Sequence, residues 1–116
     1  NREYVVNWQD DGLELQTKRS PDGKRIWAHN FNLDYVLKKH IGWSDVTSGN
    51  ISFRAYEDGV IFDSASNAAF TSEKNYYPLL GYLNSIIVKE LSVAINPTIH
   101  FKPGDFYCLP YIKINS

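Results

Sequence analysis

Cysteine is nearly absent: Cys108 is the single one in 116 residues. That excludes an internal disulfide and a cysteine-built zinc site. Methionine is missing altogether and the chain opens on Asn1, so a signal peptide, a tag or a larger parent is expected to have preceded it. No apolar run comes near the ~18 residues of a membrane span. A soluble chain is the expectation, with no compartment assigned. Nor is there an excess of one charge. Twelve basic residues face thirteen acidic ones, for a net charge of −1, whereas a mainly phosphate-driven binder is ordinarily far more basic.

Chemical signatures are scarce as well. The sequence contains no glycine-rich phosphate loop and no serine-centred nucleophile elbow. His29, His40 and His100 lack the short spacing of a metal motif. The expectation is therefore no catalytic residue, no metal and no cofactor, and the reading leans away from an enzyme. Asn50-Ile51-Ser52 fits the glycosylation triplet, a pattern short enough to arise by chance.

Aromatic residues are plentiful, at 15% of the chain, and hydrophobic residues reach 43%. This is enough for one compact domain spanning residues 1–116. Turn chemistry stands out at Asp11-Gly12, Pro21-Asp22-Gly23, Asp58-Gly59 and Pro103-Gly104, where glycine supplies positive φ and proline presets it. The β-branched and aromatic flanks predict strands over 4–8, 13–17, 25–29, 51–56, 60–62, 97–101 and 106–109. Helical spacing places Leu33, Val36, Leu37 and Ile41 on one face, with Asn32 as N-cap and Gly42 as stop. A second helix is predicted over 78–92, from Leu79, Leu80, Leu83, Ile86, Ile87 and Leu91. Ser72 and Glu73 could begin an earlier turn, with Pro78 kinking the join. The expected fold is α+β, in the order β-β-β-α-β-β-α-β-β. An antiparallel sheet of about seven strands carries two helices on one face.

Four features invite a chemical reading. Alternation over 106–114 puts Cys108 on an apolar face, as an inert core thiol rather than a nucleophile. His40 falls inside an apolar stripe and reads as a core histidine. Glu90 reads as a rim carboxylate, or as a buried partner of His40 or Arg54. Lys18, Arg19, Lys24 and Arg25 form a basic turn, for which solvation is the ordinary reading.

The sheet face opposite the helices would carry Arg54, Tyr56, His100, Lys102, Tyr107, Tyr111 and Lys113. Arg54, Tyr56, His100, Tyr107 and Tyr111 are the candidate binding residues, unless Trp8 and Trp27 of the amino-terminal meander cover them. Tyrosine and arginine are favoured anchors for protein partners, and the same mixture can stack bases. The expected function is non-catalytic binding, with another protein as partner, of the inhibitor, immunity or accessory-subunit type. The alternatives are a nucleotide or single-stranded nucleic acid on that face, a small hydrolase or nuclease using histidine with a carboxylate, and, more weakly, a glycan.

Overall fold

The computed structural model describes residues 4–26, 33–62 and 65–111. Trp27, His29, Asn32 and Lys113 lie outside the described residues, as does the end of the strand expected over 25–29. The chain divides into two compact units, Asn1–Tyr35 and Val36–Ser116. Among the described residues there are a three-stranded antiparallel sheet and four helices, in place of about seven strands and two helices.

In the first unit the Asp-Gly step does form a turn, but not between strands. Asp10, Asp11 and Gly12 all take left-handed backbone angles, and the chain then enters right-handed helix within α1 (Gln9–Thr17). Thr17 Oγ1 donates to the Leu13 carbonyl at 2.7 Å and Lys18 N to that of Glu14 at 2.9 Å. These helical bonds absorb the segment that alternation had assigned to a strand. Gly12 is required twice over: its φ is +78°, and a Cβ there would lie 2.9 Å from the Trp8 ring. The turn at 21–23 forms as expected. Ser20 N donates to the Arg25 carbonyl at 2.9 Å, and Lys24 N to Asp22 Oδ1 at 3.1 Å. Among the described residues it is closed by the bridge between Arg19 and Ile26.

The second unit is built on β1 (His40–Ser44), which pairs on either side with β2 (Arg54–Tyr56) and β3 (Ser66–Ala69). The expected helix at 33–41 is not formed. Residues 33–37 make a turn, Leu37 has φ +67°, and the chain leaves it extended. Its last apolar position, Ile41, is fully buried in β1. His40, Ile41, Gly42 and Trp43 are buried in succession. A central strand covered on both faces gives such a run without alternation, so its period is invisible. Asp58-Gly59 turns the chain as expected, with Gly59 N donating to the Leu37 carbonyl at 2.7 Å, but 60–62 joins no strand.

The predicted helix over 78–92 is present but longer and broken. α2 (Glu73–Leu83) contains Pro78, and α3 (Ile86–Ile95) leaves it at a bend of 75°. Ser85 marks the break by accepting a hydrogen bond from Val88 N at its side chain. Pro103-Gly104 opens a helix rather than a hairpin: α4 (Pro103–Tyr107) starts on Pro103, whose missing N–H is harmless in a first turn. No single helix among the described residues is long and apolar enough to cross a membrane.

The core of this unit is Ile41, Trp43, Ile51, Phe53, Tyr76, Leu83, Val88 and Phe101. Trp43 stacks on Phe106 at 5.0 Å and leans on Phe53 at 5.4 Å. At the α2 terminus the Asn84 amide acts as a piece of strand. Its Nδ2 donates to the Phe53 carbonyl and its Oδ1 accepts from Phe53 N, both at 2.9 Å. Asn84→Ala leaves both backbone groups of this buried residue unpaired. It should cost about 1–3 kcal/mol, measured as a fall in denaturation midpoint with an unchanged slope.

Candidate functional site

Beyond the end of β1 the chain places a carboxylate where water hardly reaches. The Asp45 side chain is 10% exposed, and Lys102 Nζ lies 2.6 Å from its Oδ2. His100 Nδ1 is 3.5 Å from the same oxygen, and Asn67 Nδ2 is 3.4 Å from Oδ1. Backbone pairing brings these groups together. Val46 and His100 form a bridge, Thr47 N donates to the Ile99 carbonyl at 2.9 Å, and Phe101 N to that of Asp45 at 3.1 Å. Trp43 Nε1 then donates to the Phe101 carbonyl at 2.8 Å.

The hydrogen bond from Lys102 holds the Asp45 carboxyl below the usual carboxylate range, against the opposing effect of burial, with Asn67 and His100 adding to it. Asp105 is lowered likewise, by Asn96 Nδ2 and by Lys102 N, each 2.9 Å from Oδ2. A carboxylate so held is more useful for fixing neighbours than for accepting protons near neutrality.

Beside His100 a half-open groove runs between α3 and the loops at 47–51 and 96–101. Lys89, Asn50, Thr47, Thr98 and Ser92 are among its lining residues. Its lining includes no carboxylate.

The five candidate binding residues do not share one sheet face, because 97–101 and 106–109 are not strands of the sheet. Arg54 and Tyr56 lie on β2, opposite Gly42 and His40. Tyr56 is half-buried, its ring stacked on His40 at 5.0 Å. His100 turns to Asp45. Tyr107 is 84% exposed on α4, and Tyr111 leans on Tyr82 at 5.4 Å.

His40 is a core residue as expected, though on a strand. It is ringed by Tyr56, Phe62 and Phe70, with Nδ1 2.8 Å from the Lys38 carbonyl. Glu90 is exposed on α3. Cys108 is exposed rather than in the core, because it follows a helix instead of alternating along a strand. Its thiol donates to the Gly104 carbonyl at 3.4 Å. Lys18, Arg19, Lys24 and Arg25 are all exposed on their turn. No group of three His, Cys, Asp or Glu side chains among the described residues could hold a metal ion.

Sequence reasoning passed over Asp45, Asn67 and Lys89, which carry no motif. The only trace of the cluster was His100 and Lys102 two residues apart.

No family model matches the chain. Over 114 residues, 97% of its length, it is 32% identical to the adenine-specific methyltransferase PglX of Lacticaseibacillus casei (strain Zhang). It is 30% identical, across 99% of its length, to the adenine-specific methyltransferase BrxX of Escherichia coli O9:H4 (strain HS). The chain spans 10% and 9% of the lengths of these two proteins.

The depressed Asp45 pKa has a definite sign. Its stabilising effect is complete above the ordinary carboxylate value, about 3.9, and is lost as pH falls through the lower folded-state value. Melting temperature should therefore drop steeply below about pH 4. Asp45→Asn should melt several degrees lower at pH 7 and lose less on acidification, with Asp105 and Asp22 contributing to the slope that remains. Thermal melts at pH 7 and pH 3 measure both effects.

Proposed function

We propose that this chain is a non-catalytic recognition module of a larger protein of the adenine-specific methyltransferase kind, and that it contacts the adenine-bearing nucleic acid. The likeness to two such methyltransferases, over nearly the whole chain and a tenth of each relative, carries this reading. Three short antiparallel strands also differ from the parallel sheet whose carboxyl-end crevice holds nucleotide-type cofactors. Methyl transfer is assigned elsewhere in such a protein. Tyr107, 84% exposed at the end of α4, offers a ring on which a base can stack.

Another protein surface as partner is the second reading. Ile86, Ile87 and Val93 of α3 are 68%, 60% and 64% exposed. Apolar side chains gathered on one helix face favour a protein contact.

Fluorescence anisotropy with labelled single- and double-stranded oligonucleotides separates the two. The first reading expects salt-dependent binding that Tyr107→Ala weakens about tenfold, in line with ~1–3 kcal/mol per stacked base, at unchanged melting temperature. Absence of binding at low salt would discard it. Loss of protein-partner capture on Ile87→Asp would then favour the second.

A further inference from the structure

The groove beside His100 has a lining whose ligand can be read from its charge. Lys89 is half-buried on α3 and contributes to the lining. It makes no ion pair among the described residues, unlike Lys39, which pairs with Glu57 and Glu73, and Lys102, which pairs with Asp45. A cation that has lost part of its hydration and gained no counter-ion favours an anionic ligand.

His100 supplies a second group. Its Nδ1 faces Asp45 Oδ2 at 3.5 Å, which leaves Nε2 as the ring nitrogen free to meet a ligand. The carboxylate behind it orients the ring, in the way a second partner orients a ligating histidine. Asn50, exposed at the rim, adds an amide donor. Other hydroxyls of the lining are already engaged: Thr98 Oγ1 donates to Asn96 Oδ1 at 2.6 Å and Ser92 Oγ to the Lys89 carbonyl at 2.8 Å. The groove thus offers one lysine, one histidine, the Asn50 amide and no carboxylate, while the Asn96 amide is taken up by Asp105. That set matches phosphate oxygens better than a neutral or cationic ligand.

We infer that this groove holds a backbone phosphate of the bound nucleic acid, with Lys89 as the principal charge and His100 and Asn50 as hydrogen-bond donors. The inference rests on the recognition reading above and adds to it the place where the strand is gripped. It requires no net positive charge, because Lys89 sits in a recess whose low-dielectric walls strengthen its field.

The test measures binding of a labelled duplex oligonucleotide by the whole chain across a range of salt concentrations. Four proteins are compared: wild type, Lys89→Gln, Lys89→Glu and Lys74→Gln. Lys74 is exposed on α2 and serves as the control. Each phosphate contact contributes about −0.9 to the slope of log affinity against log salt. Lys89→Gln should reduce the slope by about one contact and weaken binding about tenfold at low salt. Lys89→Glu should weaken it further, and Lys74→Gln should match wild type. Circular dichroism and melting temperature confirm folding, and Lys89→Gln removes the charge without adding a negative one if the glutamate proves disruptive. Binding and slope unchanged in both Lys89 variants would overturn the groove and leave the recognition reading standing. No salt-dependent binding by the wild type would overturn both.

Discussion

The carbonyl group of Phe101 is the point on which the second unit is assembled. The Phe101 ring is 4% exposed in the core, so its backbone is carried away from water with it. A buried carbonyl left without a donor costs about 1–3 kcal/mol. Two side chains meet the need, Trp43 Nε1 at 2.8 Å and Asn67 Nδ2 at 3.2 Å. One comes from the central strand and the other from β3. The segment around Phe101 contributes a single bridge, at His100, and no ladder. Its position is therefore set by side chains that belong to the sheet. Asp45 completes the attachment by holding Lys102 through its carboxylate and Phe101 N through its carbonyl. Everything farther along inherits this placement, including α4, the ring of Phe106 stacked on Trp43, and the wall of the groove.

The opposite end of β1 obeys a different constraint. His40 faces Tyr56 across the β1–β2 pair, and their rings stack at 11°. The Tyr56 ring reaches over Gly42, where a Cβ would lie 2.7 Å from Cε2. Glycine in a central strand usually weakens it. Here its missing side chain is the space that the tyrosine occupies. The Tyr76 hydroxyl closes this end, donating to the His40 carbonyl at 2.9 Å and accepting from Tyr56 N at 3.2 Å. Burial raises its phenol pKa and the bond accepted from the Tyr56 backbone opposes it; burial prevails. The phenol is thus a structural link between α2 and both strands.

Some of this was legible in the sequence. The apolar arc from Leu79 to Leu91 marked helix correctly, because a 3.6-residue period held over four turns fits a helix and no strand. The break at Asn84–Ser85 was not visible in that arc. It depends on Asn84 bonding to Phe53, which is 31 residues away. Glycines 12, 23 and 59 do adopt positive φ. Positive φ fixes where the chain turns, whereas a hairpin also needs two flanks that pair with each other. At 13–17 local helical bonds won over alternation, and at 97–101 the Asn96 side chain claimed Thr98 N at 3.0 Å before a ladder could begin. β3, Ser-Asn-Ala-Ala, has no β-branched or aromatic residue at all. Pairing with β1, rather than its own propensity, makes it a strand. Arg54, Tyr56, His100, Tyr107 and Tyr111 do not share one sheet face for the same reason, since that face needed the strands at 97–101 and 106–109.

Near-neutral composition points away from phosphate binding only where charge is spread evenly. The fold does not leave it so. Lys39 and Lys102 are each neutralised in place, by Glu57 and Glu73 and by Asp45. Those pairs tie β1 to α2 and to the start of α4, and they remove both lysines from the free charge. Lys89 is outside any such pair among the described residues. The local field at the groove is therefore set by which lysines the fold has already committed to its own carboxylates, and not by the sum over the chain. On the proposed reading, a net charge of −1 limits non-specific attraction to nucleic acid while leaving one recess positive. A module held within a longer methyltransferase would gain from that division. Loose electrostatic attachment could be supplied by any part of such a protein, whereas the position of one phosphate must be fixed by rigid neighbours. Asp45 and Phe101 provide that rigidity at His100.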